Sequence, residues 1–241
     1  MSKIHFVLQG KGGVGKSLVS SMLCQFLSDK NFSVYGVDTD PVNSTLTSYK
    51  KIPVTTLNIM SGDDIDSRKF DELMEILLGD NENEHIVVDN GAATFIPFCS
   101  YLKENDAFSL INGAGHSVYL HTLVTGGQAI DDTLSGLSTL INEFQSIPII
   151  VWLNRYFGDI IVDGKSFDEF KVYRENADKI YAVIEIPIKK QATYGKDLEC
   201  LFSRKETFAE AINSDQPIMV RQRLKTFWTE MSGEIEKAQI V

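Results

Sequence analysis

Gly10-Lys11-Gly12-Gly13-Val14-Gly15-Lys16-Ser17 is the stretch from which the rest of the chain can be read. Before it, Lys3-Ile4-His5-Phe6-Val7-Leu8 is short, apolar and partly β-branched, the pattern of a buried strand. After it, Leu18, Val19, Met22, Leu23, Phe26 and Leu27 recur at three- and four-residue spacing, one face of a helix that starts near Ser17. The stretch fits GxxxxGK[ST], and a strand before it with a helix after it is the setting that gives the motif meaning. Glycines let the backbone curl until successive N–H groups point inward at an anion. The helix start adds about half a positive charge. Lys16 adds a full charge, and Ser17 offers a hydroxyl to Mg²⁺. Gly12, Gly13, Val14, Gly15, Lys16, Ser17 and Leu18 are therefore expected to cradle the phosphates of a nucleotide.

The pattern continues outward from the loop. Ser33 to Val37 reads as a strand ending at Asp38, and Phe70, Leu73, Met74, Leu77 and Leu78 as a helical stripe closed by Gly79 as its C-cap. Ile86-Val87-Val88 is a strand ending at Asp89; Val118 to Val124 is another, followed by Gly126-Gly127. Ile130, Leu134, Leu137, Ile141 and Phe144 make a helix, Ile149 to Leu153 a strand ending at Asn154, and Ile180 to Ile186 a strand ending at Pro187. From Pro217 onward Leu224, Phe227, Trp228, Met231 and Ile235 mark one face of a last helix, expected to pack on the sheet. Strands alternating with helices imply right-handed crossovers: an α/β fold with a mostly parallel, twisted sheet and helices on both faces. No repeat or linker interrupts residues 1–241, so a single domain is expected. Ligands of such sheets sit at the carboxyl ends of the strands, where the glycine loop, Asp38, Asp89 and Asn154 all fall.

Composition sets the outer bounds. The 241 residues are 43% hydrophobic and 23% charged, enough for a sizeable core and incompatible with a mostly disordered chain. The apolar run from Ile147 to Leu153 is far below the ~20 residues of a membrane span. The first residues lack the long apolar region of a secretory signal, so a cytoplasmic location is expected. Three scattered cysteines without a CxxC pair exclude a disulfide framework. Four histidines without HExxH spacing are expected as hydrogen-bonding groups, not metal ligands. A net charge of −10 argues against broad attachment to nucleic acid. The pairs Lys189-Lys190 and Arg204-Lys205 read as solvated faces.

Lys11, a second lysine inside the loop, is not needed by the simple phosphate-binding scheme. KGGVGKS resembles the deviant Walker A motif of the ParA/MinD superfamily. That resemblance implies that Lys11 reaches across a nucleotide-dependent homodimer into the partner's site. It also implies that in Val37-Asp38-Thr39-Asp40-Pro41, followed by Asn43, Asp40 positions or activates water and Asp38 lies in the magnesium shell. His85-Ile86-Val87-Val88-Asp89 is similar to a Walker B strand whose Asp89 holds the metal. Asn90-Gly91-Ala92-Ala93 departs from the family, where a proline often follows that Asp. By the same resemblance Asn154 is expected at the adenine edge and Arg155 stacked on the ring, with Glu185-Ile186-Pro187 as the closing loop. Together, LQGKGGVGKS, DTDPVN, DNGA, VTGGQA, VWLN, GKSF and RQRLK resemble the TraL/StbB-type ATPases of conjugative plasmids. By resemblance the cofactors are ATP and Mg²⁺, and the partner is a plasmid-encoded transfer or DNA-binding protein. Direct DNA contact stays open, and the Glu230, Glu234 and Glu236 carboxylates argue against stable membrane insertion. The reading that results is an ATP-dependent molecular switch that slowly hydrolyses Mg-ATP; two others stand beside it, a metabolic synthetase or kinase and a nucleotide-binding scaffold that has lost hydrolysis.

Overall fold

Lys3–Val7 (β1) lies at the middle of the molecule because both of its faces are apolar. Ile4 and Phe6 enter one core and Val7 the other, all fully buried. The computed structural model describes residues 1–40, 43–62, 64–79 and 82–241. Lys16–Asp29 (α1), Val34–Asp38 (β2), Val54–Thr56 (β3), Lys69–Leu78 (α2) and His85–Asp89 (β4) follow. Then come Phe95–Glu104 (α3), Ala107–Gly113 (α4), Ser117–Thr125 (β5), Ile130–Glu143 (α5), Ile149–Asn154 (β6) and Ile180–Glu185 (β7). Lys196–Arg204 (α6), Phe208–Ile212 (α7) and Ile218–Lys237 (α8) close the chain.

Among the described residues one sheet of seven strands runs in the order β7-β6-β5-β1-β4-β2-β3, and every pairing is parallel. The expected α/β architecture is what the structure contains. One face is covered by α2, α3, α4 and α5, through residues such as Phe70, Phe98, Ile111 and Leu140. The other is covered by α1 and α8 with α6 and α7, through Phe26, Leu224, Phe208 and Leu201. The last helix packs as its apolar stripe required. Trp228 stacks on Phe208 with ring centroids 4.6 Å apart and donates its indole N–H to Asp29 Oδ2 at 2.7 Å.

Several expectations needed correction. Gly79 does end α2, but with extended backbone (φ −67°, ψ 167°), not in the left-handed C-cap geometry. A side chain there would meet the Glu75 carbonyl at 2.9 Å, so close approach is what glycine permits. The stripe Phe95, Phe98, Cys99 and Leu102 forms α3, unforeseen because Pro97 reads as a breaker. Pro97 sits in the first turn, where a missing N–H costs nothing. Lys189 is not a free surface charge: it pairs with Glu230 and lies over the Tyr194 ring. The Lys205 ammonium similarly lies over Tyr49. Pro41, Val42, Asp63, Asp80 and Asn81 fall outside the described residues.

A line of buried imidazoles crosses the sheet. His5 on β1 lies between His121 on β5 and His85 on β4, with nitrogen–nitrogen distances of 3.0 Å on each side. Trp152 on β6 donates its indole N–H to His121 Nδ1 at 3.0 Å. An indole N–H can only donate, so His121 accepts at Nδ1 and carries its proton on Nε2. His5 must then accept at Nδ1 and donate from Nε2 to His85 Nδ1, so one indole orients all three rings. Burial holds His121 at about 3 and His85 at about 4, and drives His5 well below its ordinary value, reinforced there by its two histidine neighbours. These three histidines are hydrogen-bonded in series, and no group of three or more His, Cys, Asp or Glu side chains placed to hold a metal occurs among the described residues.

Candidate functional site

The glycine loop joins β1 to α1 over the carboxyl edge of the sheet. Gly13 and Gly15 take φ of 75° and 106°, values that side chains with a Cβ seldom adopt, and Gly15 is the residue before the helix. Lys16 begins α1, is 7% exposed, and points its ammonium back to the Lys11 carbonyl at 3.2 Å. Burial lowers its pKa, and the Asp89 and Asp40 carboxylates oppose that shift. Two carboxylates therefore help keep a buried ammonium charged beside the loop.

Asp89, the last residue of β4, is wholly buried. Its Oδ1 accepts from the Ser20 hydroxyl at 2.9 Å, while Oδ2 is buried without a hydrogen-bond partner. Desolvation lifts its pKa to about 7, against the pull of the Ser17 hydroxyl and, after the repulsion from Asp38, of Ser20 and Lys16. A buried carboxylate oxygen with no donor, next to a serine hydroxyl at a helix start, suits a hard cation with oxygen ligands. Asp38 differs. Its Oδ1 accepts from the Asp40 N–H at 3.1 Å, and its Oδ2 from the N–H and hydroxyl of Thr47 at 3.1 and 3.2 Å. Both oxygens are engaged in holding the segment that carries Asp40, although burial still raises the pKa. Asp40 is half-buried and accepts from the Asn43 N–H at 3.0 Å.

Beside the loop, a cleft of about 490 Å³ opens between α1, α6 and the β6 and β7 ends, lined by Leu18, Asn154, Arg155, Pro187 and Phe202. Its apolar lining suits the flat ring of a nucleobase. Asn154 spends much of its amide on the protein: Nδ2 donates to the Val14 carbonyl at 2.9 Å, and Oδ1 accepts from Tyr156 N–H at 3.1 Å. One amide hydrogen is left for a ligand. Arg155 lies 3.5 Å from Glu185 across the β6–β7 edge. The Lys11 side chain turns instead to α5, its ammonium 2.8 Å from Asp132.

A family model described as the CobQ/CobB/MinD/ParA nucleotide binding domain matches residues 5–217, from β1 to beyond α7. The chain belongs to that family. Two Escherichia coli relatives described as Protein TraL are each 42% identical over 243 aligned positions, covering 100% of this chain and of theirs. Among solved structures, the Aquifex aeolicus MinD cell division protein superposes with a TM-score of 0.53 at 15% identity, covering 96% of this chain and 98% of that one. Pyrococcus horikoshii MinD, complexed with Mg-ADP, gives 0.53 at 17% identity over 95% and 96%. At such identity the likeness concerns the fold, which is the doubly covered parallel sheet described above.

Within this family frame, the sequence reading brought together the glycine loop, Lys16, Ser17, Asp89 and, across the cleft, Asn154, Arg155 and Pro187. It missed the groups that support them. Ser20 is one helical turn beyond Ser17, a spacing that could have flagged it as a second hydroxyl for Asp89. Thr47 and Asp132 carry no local signal, since their partners lie 9 and 121 positions away. Thr39 and Thr94 were also missed. Their hydroxyls meet at Asn90.

Proposed function

We propose that this chain is an ATP-dependent molecular switch, joining two copies through their nucleotide sites and releasing them on hydrolysis, in plasmid conjugative transfer, maintenance or positioning. What supports the reading most is the orphaned Asp89 Oδ2, buried beside Ser17 and Lys16 at the mouth of a left-handed glycine loop. Loop amides and Lys16 would bind the β- and γ-phosphates locally, against a net charge of −10. Ser17 and Asp89 are the residues that would hold Mg²⁺, which when bound supplies charge neutralisation and Lewis acidity. Asp38 stands one step behind, fixing the segment of Asp40, and Asp40 orients the attacking water and accepts its proton. Leu18, Arg155 and Pro187 line the base cleft, with the remaining Asn154 N–H facing the ring edge. Lys11 exchanges Asp132 for the phosphates of a second copy. The site lies on the cytoplasmic side of the cell in this reading, with a plasmid-encoded transfer or DNA-binding protein as partner.

Light scattering after gel filtration, with Mg-ATP and with Mg-ADP, tests the proposal. The wild-type chain should dimerise with ATP alone. Lys16→Ala should bind no nucleotide, Lys11→Ala should bind but remain monomeric, and Asp40→Ala should stay dimeric through hours of incubation. A Lys11→Ala chain that dimerises normally refutes the cross-subunit role. Capture from plasmid-bearing cells with ATP and then with ADP identifies the partner.

A further inference from the structure

Asn90, the residue after Asp89, lies at the centre of a buried group of hydrogen bonds. Asn90 is 1% exposed, and its Oδ1 accepts from two buried hydroxyls: Thr39 at 3.0 Å and Thr94 at 2.7 Å. Its Nδ2 donates to the Gly91 carbonyl at 3.2 Å. Thr39 lies between Asp38 and Asp40; Thr94 lies immediately before α3. Both threonines are fully buried, so water cannot replace a broken bond. Each hydroxyl also has a second acceptor, the Asp89 carbonyl at 3.0 Å for Thr39 and the Gly91 carbonyl at 2.9 Å for Thr94. One hydroxyl carries one proton, so each threonine can turn between two acceptors without moving a heavy atom. The segment bridged to Thr94 faces the glycine loop: a side chain on Gly12 would touch the Ala92 methyl at 3.8 Å, and one on Gly10 the Phe95 ring at 3.0 Å.

We propose that Asn90 is a positioning residue whose amide ties the Asp40-bearing segment to the Gly91–Thr94 segment, so that whatever displaces the second beside the phosphates moves the first. It acts on the water-orienting carboxylate through Thr39 and touches no substrate itself. This rests on the ATPase reading above and adds to it the route by which the phosphate state reaches Asp40.

The test uses the full chain and four variants: Thr39→Val, which keeps the shape and loses the donor; Asn90→Leu, which loses the acceptor; the double variant; and Thr39→Ser, which restores a hydroxyl. Phosphate release, affinity for fluorescent ATP and ADP analogues, and hydrogen exchange of peptides carrying Asp40 and Thr94 are read together. Thr39→Val and Asn90→Leu should each lower kcat by about tenfold with nucleotide affinity within about twofold. The double variant should be no worse than either single one. Protection of the Asp40 peptide by ATP over ADP should disappear in both and return in Thr39→Ser. Wild-type kcat and wild-type ATP-specific protection in Thr39→Val would overturn the proposal, and so would additive losses. If Asn90→Leu does not fold, Thr39→Val against Thr39→Ser decides alone. A wild-type chain that binds Mg-ATP and releases no phosphate removes the hydrolysis reading instead, and the exchange comparison still judges the linkage.

Discussion

Mild acid should destabilise this protein above the range in which ordinary carboxylates titrate, and the His121–His5–His85 line is the cause. Each ring is neutral in the fold, with His121 near 3, His85 near 4 and His5 well below the usual 6.5. Unfolded, each takes up a proton as the pH falls through about 6.5, so the unfolded state binds more protons and stability declines. A depressed histidine thus stabilises the fold above its unfolded value and loses that contribution down to its folded value. Asp89 works the other way: its folded pKa of about 7 exceeds the ordinary 3.8, so the nucleotide-free fold gains stability as Asp89 protonates. Three histidine protons less the Asp89 proton leave about two, and the raised Asp38 takes off more, so stability should fall by no more than about 3 kcal/mol per pH unit between roughly pH 6 and 4.5. One pH unit would therefore remove a sizeable part of the roughly 5–15 kcal/mol that holds a typical domain folded. The assay is urea unfolding at pH 7, 6, 5.5 and 5, followed by tryptophan fluorescence. His5→Gln is the informative variant, because an amide can both accept from His121 and donate to His85. It removes one titrating group without orphaning its neighbours, and should lower the slope by the share of one proton. Wild-type stability that is flat between pH 6 and 5, or an unchanged slope in His5→Gln, would refute the buried neutral ladder.

Three further outcomes can be checked by thermal or urea denaturation. Gly136→Ala should cost about 1–3 kcal/mol, because its methyl would lie 2.0 Å from Gln9 Oε1, which is buried and tied by its amide nitrogen to the Leu123 and Thr133 carbonyls. Trp228→Ala should cost about 3–5 kcal/mol, since it removes the stack on Phe208 and leaves Asp29 Oδ2 without its indole donor. Asp132→Asn should change stability by less than about 1 kcal/mol, because both partners of its ion pair with Lys11 are about half exposed and screened by water.

The glycine loop was legible because its physics is local. Strand, curl and helix start are contiguous, and each is dictated by a few neighbouring residues. Asp38, Asp89 and Asn154 were legible for a related reason. Each closes an apolar run, and a parallel sheet brings such ends to one edge whatever the strand order. The side-chain bonds that give those residues different jobs were not. Asp38 and Asp89 look alike in sequence, each an acid after a buried strand. Thr47 and the Asp40 N–H then occupy the two oxygens of Asp38, while Asp89 keeps an empty oxygen.

By itself the chain's order of residues determined the alternation of strands and helices, the phosphate-binding curl and the edge at which polar groups gather, since these follow from periodicities of two and 3.6 residues and from glycine's freedom at positive φ. Lateral strand order and register were decided only in three dimensions. They set His5 between residues 80 and 116 positions away, Asn90 against a threonine 51 positions back, and Lys11 against Asp132. The physical reason is that a hydrogen bond or ion pair needs its atoms within about 3 Å, and no local pattern records which distant residue the fold will bring there.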